Sequence, residues 1–417
     1  MSGLDGLEVR GGVGGIRART DDMQRAAHVL GRAGAQLGDL GLRLGAVATA
    51  PDLLLTAALS PATWATAEGA LLGAAFGISG LAPAAARLDL LGVRLRAAAV
   101  ATAATEEAVF LRARAGQLAR VGTLALAAVG AVPWSVPVLG SAGDGDGAGI
   151  GLAATVELVA GAAPGTVRQA AQGIGLATAG TPFLHDGHAV VAAGPPARVA
   201  APSGVADLIR GVASCYPDGG SAPGTVRVLR VVHADGRRAW VVEIPGTQHW
   251  SPMAGTDPFD LSGDVASMAG RVAAAGEVVQ ATLAASGARR GEPVLLAGHS
   301  LGGMVAAGLA SDSSFRSRFT VTHVLTAGSP VAGYPVPPGV QVLSLEHTDD
   351  VVPALDGRRD PDRPSWVTVR RPVRPAGLVL DPEGAHDVAA YARTGVLVDG
   401  SRDPSVVAWR AGLVPFL

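Results

Sequence analysis

Apolar positions divide the chain into three zones. Up to about residue 120 they recur at helical spacing: Met23, Ala27, Leu30, Leu37, Leu40, Leu44 and Val47 step by three, four or seven. Leu88, Leu91, Leu95, Ala98, Thr102, Thr105 and Val109 do the same without a gap. Such spacing lays one stripe of each helix against a neighbour and predicts a helical bundle over 1–120. Ser60-Pro61 opens a further helix through Trp64, Leu71 and Phe76, with serine as N-cap and proline at the first helical position. The second zone, 121–200, is apolar and poor in charge, and reads as a Gly/Ala-rich linker or packing segment. Within it, 121–140 carries no charge and lies between Arg112, Arg114 and Arg120 on one side and Asp144 and Asp146 on the other. Its length just suffices to cross a bilayer, so membrane association through 121–140 is one expectation. Pro133, Pro137 and the many small residues favour a buried hairpin or linker.

The period changes from about residue 201 onward. Segments 226–232 and 239–244 predict two strands joined by a turn at Asp235-Gly236. A helix follows over 263–286, then a short apolar strand at 293–297, another helix, and strands at 321–326 and 341–345. Antiparallel strands leading into alternating strand and helix predict an α/β fold for 201–417. Its sheet is mixed, mostly parallel and flanked by helices, and it is preceded by the all-α region.

Composition narrows the function classes. The formal net charge of −2 on 417 residues gives no broad basic field, so no nucleic-acid partner is expected. All 33 basic residues are arginine, and the chain has neither Lys nor Asn, the mark of a very GC-rich genome. Gly-rich and Ala-rich patterns therefore carry less information here than in an average chain. Cys215 is the single cysteine, which excludes an internal disulfide and a Cys-based metal cluster. Its neighbours Ser214 and Tyr216 offer no activating signature, and it reads as a structural thiol. The N-terminus lacks the basic and apolar regions of a secretory signal, so classical export is not expected. The nine histidines show no metal-ligand spacing, and no cofactor or metal is expected.

The chemical signal is Gly298-His299-Ser300-Leu301-Gly302-Gly303. With 58 glycines the bare G-x-S-x-G pattern arises cheaply, but its setting adds weight. An apolar strand runs straight into Ser300 and a helix, beginning near Met304, runs out. A sharp strand-to-helix turn needs small residues beside the serine and leaves its hydroxyl exposed above a helix N-terminus. A serine hydroxyl needs a base, and in this kind of site the acid and then the histidine follow it in the chain. His386, in Gly384-Ala385-His386-Asp387, is the one histidine beyond the candidate acids. Those acids are Asp349 and Asp350, leaving the strand at 341–345, and spacing does not choose between them. Oxyanion donors are expected from the N–H of Leu301 and from Thr247, in the Ile244-Pro245-Gly246-Thr247 turn that ends an earlier strand.

Taken together, Gly246-Thr247, the Gly298 to Gly303 motif, Asp350-Val351-Val352-Pro353, and His386 with Tyr391 resemble the class 3 (fungal-type) lipase branch of the α/β-hydrolases. Ala327-Gly328-Ser329-Pro330 is similar to that family's G-S-P turn. The resemblance covers 201–417. It implies an α/β-hydrolase fold and selects Asp350, the acid directly before x-V-P. It also places an active-site cover at 248–263, with Trp250, Pro252, Met253 and Phe259. The first zone resembles the WXG100 helical hairpins exported by type VII secretion in actinobacteria, although Trp64-Ala65-Thr66 has threonine where that family's turn has glycine, and Thr102 to Glu106 has threonine where its tail signal has tyrosine. This resemblance implies a type VII secretion partner. The expected activity is a serine esterase or lipase acting on a small-molecule or lipid ester through Ser300, Asp350 and His386. The same residues would serve an acyltransferase. A third alternative is a type VII-associated binding protein with no activity.

Overall fold

The computed structural model of the protein describes residues 6–102, 168, 171–172, 191–250, 257–271, 273–350, 352–373 and 382–417. Segment 121–140, with its membrane expectation, lies outside the described residues, as does most of the predicted 121–200 linker. The chain divides into two compact units, one helical within Ile16–Arg114 and one α/β unit containing the rest.

In the helical unit, α1 (Ile16–Ala48) is followed by α2 (Pro51–Ala57), α3 (Pro61–Phe76) and α4 (81–102). The helical period is as the sequence predicts, and of the predicted stripe Ala27 is buried while Met23, Leu30, Leu37, Leu44, Leu88 and Leu95 are half-buried. Leu40, Val47 and Leu91 are exposed, because the small residues beside the stripe, Gly34, Gly41, Gly45, Ala48, Ala85, Gly92 and Ala99, take the buried positions. Small residues let helix backbones approach closely. A Cβ at Gly92 would stand 3.1 Å from the Ala27 carbonyl oxygen. Pro61 begins α3 as predicted, although the Ser60 hydroxyl donates to Thr63 Oγ1 at 2.9 Å and caps no backbone N–H.

The α/β unit is a seven-stranded sheet with order β1-β7-β6-β5-β4-β3-β2. Strands β3 (Arg238–Ile244), β4 (Pro293–His299), β5 (Thr320–Ala327), β6 (Gln341–His347) and β7 (Trp366–Arg371) run parallel. At the two edges β2 (Arg227–Val232) and β1 (Glu8–Gly11) are antiparallel to their neighbours. This is the predicted mostly parallel mixed sheet flanked by helices, with two strands added. β7 was not foreseen, and Glu8–Gly11 falls in the stretch read as wholly helical.

Alternation along the strands feeds two cores. Trp240, Val242, Ile244, Val294 and Leu296 face α6 (Leu261–Met268), α7 (Ala274–Ala285), α8 (Leu301–Ser311) and α9 (Ser313–Arg318). Val241, Leu295, Ala297, Leu325 and Leu343 face α5 (Val205–Ala213), α11 (Val388–Gly400) and α12 (Pro404–Ala411), while α10 (Pro382–His386) leads into α11. The single helix expected over 263–286 is two helices. Gly270 adopts φ 80°, and the Arg271 N–H donates to the Ala266 carbonyl at 3.0 Å, a Schellman ending that stops α6.

Candidate active site

The parallel strands bring their C-terminal ends to one edge of the sheet, where loops carry the polar chemistry of such folds. β4 runs into Ser300 and directly out into α8. Ser300 has φ 54° and ψ −122°, the one non-glycine residue with positive φ among the described residues. A conformation of this kind costs on the order of 1–3 kcal/mol and persists only where its surroundings hold it. Here the Ser300 N–H donates to the Ala327 carbonyl at 2.9 Å. A Cβ on Gly298 would overlap the Gly302 backbone, and one on Gly302 would overlap the carbonyls of Ile244 and Pro245. Close approach, not base composition, requires glycine on both sides of this serine.

His386 ends α10, and its Nε2 lies 3.0 Å from Ser300 Oγ while its Nδ1 lies 2.8 Å from Asp350 Oδ2. Asp350 is buried. Burial works against its charge, but the His386 charge and hydrogen bond, the Tyr391 hydroxyl and the Val352 N–H together hold its carboxyl below the usual value. An ionised Asp350 fixes the Nδ1–H tautomer of a neutral His386, whose Nε2 then accepts the serine proton. Asp349 is engaged elsewhere: its Oδ1 accepts from the Val373 N–H at 3.0 Å. Of the two adjacent acids, the fold brings Asp350 to His386.

The turn after β3 lies against the serine, for a Cβ on Gly246 would stand 2.8 Å from Ser300 Cβ. The Gly246 N–H is taken by the Tyr216 hydroxyl at 2.6 Å, so Thr247 is the residue of this turn suited to supply a backbone donor. The Thr247 hydroxyl donates to Asp264 Oδ2 at 2.7 Å. Burial pushes the Asp264 carboxyl up to about 7; the Thr247 hydrogen bond and the His386 charge act against this, and Asp260 adds to it. Leu301 is the first residue of α8, so its N–H has no acceptor within the helix and sits at the positive end of the helix dipole.

The reading of 248–263 as a cover changes in one respect. Phe259 is fully buried in the sheet core, and its carbonyl accepts from the N–H of Gln248 at 2.8 Å. It is therefore a core side chain and no acyl-chain ligand, while residues 251–256 lie outside the described residues. Cys215 is buried with its thiol pushed up to about 12 by burial, as befits a structural thiol. Tyr216, Asp264, His299 and His347 were not foreseen as site residues. The sequence marks Tyr216 only as the neighbour of Cys215, and it sets the two histidines aside because only His386 follows the candidate acids in the chain.

Comparison with known proteins gives no match: no family model, no curated protein and no solved structure aligns with this chain.

Proposed function

We propose that the chain is a serine hydrolase of the α/β-hydrolase type, cleaving carboxylic esters through an acyl-enzyme on Ser300. The observation that carries this reading is the continuous Ser300–His386–Asp350 hydrogen-bonded chain, with contacts of 3.0 and 2.8 Å, set on a strained strand-to-helix turn. His386 takes the hydroxyl proton as Ser300 Oγ attacks the acyl carbon. The oxygen that becomes negative is received by the N–H groups of Thr247 and Leu301, each such donor contributing about 2.7–4 kcal/mol to the transition state. His386 then protonates the departing alcohol. Water, deprotonated by the same ring, releases the acid and restores Ser300. The lipase-like motifs of 201–417 favour a small-molecule or lipid ester as substrate.

Hydrolysis of a p-nitrophenyl ester chain-length series by wild type and Ser300→Ala, with a primary alcohol present, tests the reading. The expected result is free acid as the main product, formed by wild type alone. Equal turnover by Ser300→Ala would overturn the proposal, and a predominance of transferred ester would make the enzyme an acyltransferase.

A further inference from the structure

Two buried imidazoles, neither of them the base, hold the backbone at the base. His299 ends β4 and places Nε2 2.8 Å from the carbonyl oxygen of His386. His347 ends β6 and places Nδ1 2.7 Å from the carbonyl oxygen of Ala385. A carbonyl only accepts, so each of these nitrogens carries the hydrogen. The opposite nitrogens are then acceptors, and each faces a hydroxyl: Tyr216 Oη at 2.6 Å from His299 Nδ1, and Thr394 Oγ1 at 2.7 Å from His347 Nε2. Each hydroxyl in turn receives a donor, the Gly246 N–H on Tyr216 at 2.6 Å and Arg371 Nε on Thr394 at 2.9 Å.

With both rings neutral every hydrogen in these two chains has one assignment, the Thr394 hydroxyl turning to His347 at 2.7 Å and not to the Ala390 carbonyl at 3.3 Å. One chain runs from the Gly246 N–H through Tyr216 and His299 to the His386 carbonyl. The other runs from Arg371 through Thr394 and His347 to the Ala385 carbonyl. We infer that His299 and His347 are positioning residues, a clamp on the consecutive carbonyls of Ala385 and His386 that fixes the base, and that the His299 chain ties it to the oxyanion turn. This rests on the hydrolase reading above.

The need for a clamp follows from local structure. α10 has five residues, and the last carbonyls of any helix lack partners within it. Left to water, they would let His386 drift, and a misplacement of about 1 Å can cost on the order of 100-fold in rate. The two rings sit at the ends of β4 and β6, two interior strands of the sheet paired on both sides. The His347 ring also stacks at 3.7 Å on that of Tyr391, the phenol bonded to Asp350. Burial lowers both imidazoles, His299 down to about 3, so both keep an acceptor nitrogen at neutral pH.

Long-range nitrogen NMR of the full chain, labelled with ¹⁵N-histidine, reads the clamp without reference to catalysis. It is expected to show His299 protonated at Nε2 and His347 at Nδ1, both neutral at pH 8, with His299 staying neutral down to about pH 5. The opposite tautomer in either ring, or titration of His299 between about pH 5 and 8, would overturn the clamp even in an inactive protein. In ester turnover, His299→Phe and His347→Phe are expected to lower kcat by about 10-fold to 100-fold with KM within about twofold. His299→Gln and His347→Asn, which return an amide N–H near the lost one, are expected to recover most of that. Unchanged kcat in the Phe variants, or no recovery in the amide variants, contradicts the clamp. Tyr216→Phe keeps the ring and removes only the hydroxyl, so it decides the matter where a Phe variant does not fold: wild-type kcat there also overturns the clamp. Failure of the hydrolase reading would look different, with the assigned tautomers present in a protein whose Ser300 does not react with a fluorophosphonate.

Discussion

The Tyr391 hydroxyl donates to Oδ2 of Asp350 at 2.7 Å, the same oxygen that receives Nδ1–H of His386 at 2.8 Å. One carboxylate oxygen thus takes two donors, which fixes its position and spreads its charge. A neutral donor to a charged acceptor contributes about 1.5–3 kcal/mol. Tyr391→Phe is therefore expected to lower kcat by about 10-fold while keeping the fold, as measured by ester turnover beside a thermal unfolding curve. An unaltered kcat would show that the hydroxyl does not hold the acid.

Asp349 and Asp350 separate cleanly by substitution. Asp350→Asn keeps the shape but offers His386 no carboxylate, and the resulting wrong tautomer is expected to cost on the order of 10⁴ in kcat. Asp349→Asn keeps an amide oxygen to accept from the Val373 N–H and gives up only the charge, so its kcat is expected to stay within about threefold of wild type. The reverse ranking would assign the acid to Asp349.

Asp264 predicts a pH dependence of stability. Its carboxyl lies at about 7 in the folded protein against 3.8 unfolded, so the folded state binds the extra proton between those values. Stability from this group is complete below about pH 4 and is lost as pH rises through about 7. Asp264→Asn cannot ionise. The melting temperature of wild type relative to Asp264→Asn is therefore expected to fall between about pH 4 and 7 and to level off above that, as followed by calorimetry. A flat difference would mean that Asp264 is ionised throughout.

The nucleophile turn predicts intolerance of a single methyl group. Gly302→Ala drives a Cβ into the carbonyls of Ile244 and Pro245, which belong to β3 and its following turn. Relief requires α8 to move from β3, so destabilisation by about 1–3 kcal/mol or more and loss of turnover are expected in denaturant titration and ester assays. Normal activity in this variant would contradict the tight strand-to-helix crossing.

Much of this site was legible because its signals are local. The apolar strand before Ser300 and the helix after it distinguish one G-x-S-x-G from the glycine background, and His386 was the one histidine beyond the candidate acids. The choice of acid was not legible from spacing, because it turns on which side chain a distant N–H, that of Val373, engages. The outer strands were hidden for a similar reason: β1 has four residues and gains its ladder from β7, with Glu8 opposite Arg370. In the helical unit the leucines give the period but mark only the border of the interface, since weighting by hydrophobicity overlooks that Gly92 reaches Ala27 more closely than a leucine could. His299 and His347 lay beside the nucleophile and the acid in the chain, yet nothing in the sequence says which carbonyl an imidazole will meet.

The central claim is that Ser300 is a nucleophile activated by His386. Reaction of the whole protein with a fluorophosphonate, followed by peptide mass mapping, tests it directly. The expected result is one stoichiometric adduct on Ser300, absent in Ser300→Ala and formed far more slowly in His386→Ala. An unlabelled wild type, or an adduct that persists in Ser300→Ala, would contradict it.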